Sequence, residues 1–148
     1  HLVNTASVAG LVPFPYQSLY CTTEFGIVGL SEALRYELAA DGIRVSVVCP
    51  GNVATRIFET SLMGDPVAGR APDDSITADE AARTILDAVA AGEGIIAFPE
   101  GPKHLWDVYR TAPEQVAEYM LGLADQRRSA YATDDAEALF RPRRLGDG

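Results

Sequence analysis

The most constraining feature is residues 44–49, Arg-Val-Ser-Val-Val-Cys, a β-branched and almost unbroken apolar run closed by Pro50-Gly51. A strand with one wet face alternates polar and apolar residues. A strand without that alternation is buried on both faces, the condition of a strand inside a parallel sheet. Parallel neighbours need long crossovers, usually helical, and the sequence supplies one on each side. Upstream, residues 18–40 carry Phe25, Ile27, Val28, Leu30, Leu34 and Leu38, with Glu32, Arg35 and Glu37 on other faces, and Asp41-Gly42 ends the helix. Downstream, Thr77 and Glu80 have capping-box spacing and open a helix over Ala78–Ala91, which Gly92 ends. Apolar segments at 2–6 and 94–98 read as two more strands.

Strand, helix, strand, excursion, helix, strand is the order of an α/β, Rossmann-like doubly wound parallel sheet. Right-handed crossovers would place both helices on one sheet face. Three strands would then expose an apolar surface on the other face unless something covers it. Residues 52–76 form an irregular excursion with a short helix near 56–63, and 101–128 read as a helical extension broken near Pro113. Residues 129–148 read as a polar, loosely ordered tail. The chain opens on His1, directly in an apolar segment, and reads as a fragment.

A net charge of −9 opposes phosphate backbones and anionic lipid, so neither nucleic acid nor a membrane surface is an expected partner. The basic cluster at Arg141, Arg143 and Arg144 reads as a solvated terminus. No apolar run reaches the roughly 20 residues that span a bilayer, and no signal peptide is expected from the opening residues. Cys21 and Cys49 lack metal-ligand spacing and read as small buried hydrophobes in a reducing, cytoplasmic protein. His1 and His104 have no partners that suggest a triad or a metal site.

Three blocks carry chemistry. Asn4-Thr5-Ala6-Ser7-Val8-Ala9-Gly10 leaves the first strand; Tyr20-Cys21-Thr22-Thr23-Glu24 opens the long helix; Pro50-Gly51-Asn52-Val53-Ala54-Thr55 leaves the central strand. All three should open on the C-terminal edge of the sheet, where α/β ligands bind. Their order and spacing resemble the short-chain dehydrogenase/reductase family, whose blocks are Asn-x-Ser-Ser-x-x-Gly, Tyr-x-x-x-Lys and Pro-Gly-x-Val-x-Thr. The likeness covers residues 1–100, the C-terminal half of that family's domain.

The resemblance implies an oxidoreductase that moves a hydride between NAD or NADP and a small alcohol or carbonyl substrate. It implies that Ser7 polarises the substrate oxygen and that Tyr20 exchanges the proton. Pro50, Gly51, Val53 and Thr55 would receive the nicotinamide carboxamide, and 52–76 would be the substrate lobe. A homo-oligomer through the long helix 18–40 is implied as well.

Two departures stand against normal turnover. Glu24 occupies the position of the family lysine, one turn beyond Tyr20 on the same helix face. Lysine there draws the tyrosine pKa down, whereas glutamate pushes it up. The sole lysine, Lys103, lies in the helical extension, which leaves Arg56 as the local cation. The Gly-rich pyrophosphate turn is also missing, so tight NAD(P) binding by this chain alone is not expected. A catalytically inactive binding or assembly module is therefore the alternative. A serine hydrolase built on Ser7 fails for want of a Gly-x-Ser-x-Gly elbow and a histidine base.

Overall fold

The computed structural model describes residues 1–59 and 71–133. Strands β1 (Leu2–Thr5), β2 (Val45–Pro50) and β5 (Ile95–Phe98) form one sheet in the order β1-β2-β5. Both pairings are parallel: Leu2 to Thr5 register with Val45 to Val48, and Val47 to Pro50 with Ile95 to Phe98. Helix α1 (Ser18–Glu37) joins β1 to β2, and α2 (Ala78–Ala91) precedes β5. Two-residue strands β3 (Val53–Ala54) and β4 (Ile76–Thr77) pair in parallel within the excursion. Helices α3 (Glu100–Thr111) and α4 (Pro113–Thr133) complete the described chain.

Val45 to Cys49 are all buried, as their unbroken apolar character requires. The single polar member, Ser46, donates to the Glu93 carbonyl and pairs with His1 Nε2 at 2.9 Å, so its hydroxyl is satisfied. Thr77 caps α2 with the full reciprocal box: Thr77 Oγ1 accepts from the Glu80 amide, and the Glu80 carboxylate accepts from the Thr77 amide. Gly92 closes α2 in the left-handed conformation, φ 81°. The α-helix of α1 stops at Glu37; residues Ala39–Asp41 tighten into a 3-10 turn before Gly42, φ 70°.

The sheet divides the core in two. On one face Ala6, Val47 and Cys49 pack with Leu11, Val12, Leu105 and Val116, against Ile27 and Val28 of α1. On the other, Val48, Ile96 and Phe98 pack with Ala81, Ala88, Ile85 and Val89 of α2. The two crossover helices therefore lie on opposite faces, which corrects the expectation of a shared face. Since β1, β2 and β5 step across the sheet in one direction, helices on opposite faces mean crossovers of opposite hand. One of them departs from the right-handed rule. The excursion supplies the reason: Val53 and Ile76 pack into the α2-side core, so the chain has changed faces before α2 begins. The short-connection geometry behind the rule does not apply to so long a detour.

This arrangement also corrects the expectation of a bare second face, because α2 covers β2 and β5 there. What stays open is the β1 border, where Leu2 is 46% and Val3 42% exposed. Within the excursion, a 3-10 turn spans Arg56–Glu59; the remainder of the expected short helix, and the lobe from 60 to 70, lie outside the described residues. Helix α4 continues to Thr133, so the first five residues of the expected loose tail are helical. Positions 134–148, with the basic cluster, also lie outside.

Candidate active site

Ser7 leaves β1 in extended conformation and caps a 3-10 turn over Val8–Gly10, its Oγ accepting from the Ala9 amide at 3.2 Å. The same hydroxyl points to the Pro50 carbonyl at 3.5 Å. Ser7 thus links the C-terminal ends of β1 and β2, and capping does not compete with a place in the site. Tyr20 lies in the first turn of α1, 47% exposed. Burial of its ring raises the phenol pKa; the nearby Ser7 hydroxyl opposes that, and the Glu24 charge adds to it. Ser7, Tyr20 and Pro50 therefore come together at one sheet edge.

Glu24 follows one turn later, partly buried, and burial raises its own pKa. Its charge reaches past Tyr20 to Cys49 in β2, whose thiol is pushed up to about 12, mainly by burial and then by Glu24. The carboxylate therefore acts on groups of both α1 and β2. Its sign matches the sequence expectation, although desolvation outweighs it at Tyr20. Arg56 lies instead against Glu59 at 3.7 Å, with its side chain 93% exposed.

The third block is partly committed to the fold. The Gly51 amide donates to the Phe98 carbonyl at 2.7 Å, and the Asn52 carbonyl accepts from Ile76 at 3.2 Å. Val53 is engaged in the β3–β4 pair. The Thr55 hydroxyl accepts from the Ile57 amide at 3.4 Å and is exposed, which leaves its proton free for donation.

Gly10, Asn4 and Ser31 carry no individual role in the sequence reading but support the site, and Gly51 has a packing role besides its expected one. Gly10 lets its turn rest on α1: a Cβ there would stand 2.6 Å from the Glu24 carbonyl oxygen. Gly51 is held against α3, where a Cβ would come within 2.4 Å of Pro102. Asn4 donates to Ser31 Oγ at 3.0 Å, and Ser31 donates to the Ile27 carbonyl at 2.7 Å, which pins β1 to α1. Glycine within each motif was a visible signal; nothing in the sequence pairs Asn4 with Ser31. A shallow cavity between α2 and α3, lined by Ile76, Phe98, Glu100 and Lys103 among others, holds none of the site residues. No cluster of metal ligands occurs among the described residues.

Residues 1–64 match the short chain dehydrogenase family. That likeness covers 64 of the chain's 148 residues. It is 37% identical over 92 residues to short-chain dehydrogenase/reductase prx7 of Penicillium rubens, an alignment covering 62% of this chain and 31% of that protein. It is 43% identical over 63 residues to inactive 2-(S)-hydroxypropyl-CoM dehydrogenase 2 of Xanthobacter autotrophicus, covering 43% of this chain and 27% of that protein. The solved short-chain dehydrogenase of Sphingobium yanoikuyae in complex with NADPH superposes with a TM-score of 0.58 at 25% identity, over 78% of this chain and 44% of that one. The alignments span about a third of these curated relatives. The fold is that of Rossmann-like short-chain dehydrogenases, and no described helix is long and apolar enough to cross a membrane.

Proposed function

We propose that this chain is the proton-handling half of an oxidoreductase that moves a hydride between NAD(P) and a small alcohol or carbonyl substrate. The supporting observation is the meeting of Ser7, Tyr20 and Pro50 at the C-terminal edge of parallel strands. Ser7 would donate a hydrogen bond to the substrate oxygen, and Tyr20 would give the proton in carbonyl reduction or take it in alcohol oxidation. The exposed Thr55 hydroxyl, with backbone around Pro50, Gly51 and Val53, suits the nicotinamide end of the cofactor. When bound, NAD(P) supplies or receives the hydride.

With the phenol pKa raised, Tyr20 is protonated at neutral pH and ready to donate. The phenolate left behind is disfavoured by burial and by Glu24, so turnover in either direction is slow. Glu24 also adds a negative charge where a phosphate-bearing cofactor would approach. The same residue favours a second reading, a catalytically inactive binding or assembly module. Exposed Leu19 and Leu30 on α1 suit self-association through that helix. The compartment proposed is the cytoplasm, consistent with two free, buried thiols.

Titration with NADH and NADPH, followed by nicotinamide fluorescence, separates the two readings. The enzyme reading expects a cofactor response from the protein containing this segment, and faster turnover in Glu24→Lys. A protein that binds cofactor yet gains nothing from Glu24→Lys would refute the electrostatic argument. No cofactor response in either form selects the binding module.

A further inference from the structure

Residues 11–17 connect Ser7's turn to the helix that carries Tyr20, and the far end of the chain holds them. Arg127, near the end of α4, donates from Nη1 to the Pro15 carbonyl at 2.6 Å, with its guanidinium carbon 6.0 Å from the centre of the Phe14 ring. Arg128 Nε donates to the Tyr16 hydroxyl at 3.2 Å, and the Tyr131 ring lies 5.4 Å from the Tyr16 ring. Arg127 is partly buried, and its hydrogen bond to a carbonyl is charge-assisted, the stronger kind.

The loop needs such support. Tyr16 has φ 63°, in the left-handed region, where an L side chain is crowded by its own backbone. Helix α1 also opens without a side-chain cap, because Gln17 makes none. The path from loop to site is short. The Phe14 amide donates to Cys21 Sγ at 3.3 Å, the Cys21 amide donates to Gln17 at 2.8 Å, and Cys21 is the neighbour of Tyr20.

We propose that the end of α4 is a latch that positions Tyr20, with Arg127 as the positioning residue acting through residues 14–17 and Cys21. The inference rests on Tyr20 being the proton-handling group, but the latch can be tested without catalysis. The chain has two cysteines, Cys21 at 6% and Cys49 at 0% exposure. Labelling with a thiol-reactive disulfide, mapped by mass spectrometry, reads them separately.

In Arg127→Met, Cys21 should label about tenfold faster, the scale of a lost hydrogen bond to a charged group, while Cys49 stays protected. Arg127→Lys keeps a cation and a donor and should restore protection. Unchanged Cys21 labelling in Arg127→Met overturns the proposal. If both thiols speed up together, Tyr131→Ala decides, since that residue is 58% exposed: a selective rise at Cys21 supports the latch, and no rise overturns it. Carbonyl reduction with NADPH then tests positioning. A fall in kcat with KM retained supports it, and unchanged kcat beside selective labelling overturns it. Absence of turnover in every form sinks the catalytic reading, while the labelling still judges the latch.

Discussion

Tyr20 and Glu24 are one helical turn apart, and the carboxylate acts on the phenol in the same direction as burial. The phenol of Tyr20, isolated as the difference from Tyr20→Phe in an ultraviolet titration, should therefore move to lower pH in Glu24→Gln and further in Glu24→Lys. No movement would mean that the charge is screened. The linkage has a definite sign. A folded-state pKa above the unfolded value of about 10 gives stability that is intact below that pH and lost as pH rises through the folded pKa. Tyr20→Phe should blunt that alkaline loss in a denaturation series. Gly10 rests against the same helix turn. In Gly10→Ala the new Cβ meets the backbone of Glu24, which no rotamer change relieves. A loss of about 1–3 kcal/mol in denaturant unfolding is expected, as for overpacked sites, and a neutral result would show that the turn can retreat from α1. The chemical identities of these residues were legible from motif spacing. Their balance of forces was not, because desolvation depends on what surrounds the ring.

The second helix begins where Thr77 and Glu80 said it would, because both halves of a capping box lie within four residues of sequence. Thr77→Ala should cost about 1 kcal/mol of stability, measured by chemical denaturation. Glu80 is held below its ordinary pKa by hydrogen bonds from the Thr77 amide and hydroxyl. Such a depressed carboxylate contributes stability above its unfolded pKa and loses it as pH falls through the folded value. The acid limb of the stability curve should therefore be shallower in Glu80→Gln, and an unchanged limb would show that the box adds nothing to it. The first helix starts at Ser18, as the sequence suggests, but was less legible at its C-terminal end. Its C-terminal turn tightens to a 3-10 form before Gly42, and its N-terminus depends on Arg127, 112 positions away from Pro15.

At the scale of the molecule, the central strand is buried by helices on both sides, with α1, α3 and α4 over one face and α2 over the other. Ile96, 2% exposed, belongs to the thinner α2-side layer, which has one helix and the β3–β4 pair to cover it. Ile96→Ala should cost about 2–5 kcal/mol, read from the urea midpoint. A much smaller loss would mean that this layer collapses readily onto the vacated space.

The sequence by itself determined the three strands of the main sheet, the two crossover helices and the cap of α2, the parallel character of the sheet, and the three blocks at its edge, but not the short β3–β4 pair. Each is a local pattern: apolar periodicity, a cap within one turn, a glycine just past a helix. Tertiary structure alone decided that α2 crosses to the opposite face, that Asn4 reaches Ser31, and that α4 grips the loop before Tyr20. These are contacts between residues far apart in sequence, set by packing of side chains whose local pattern is compatible with either face.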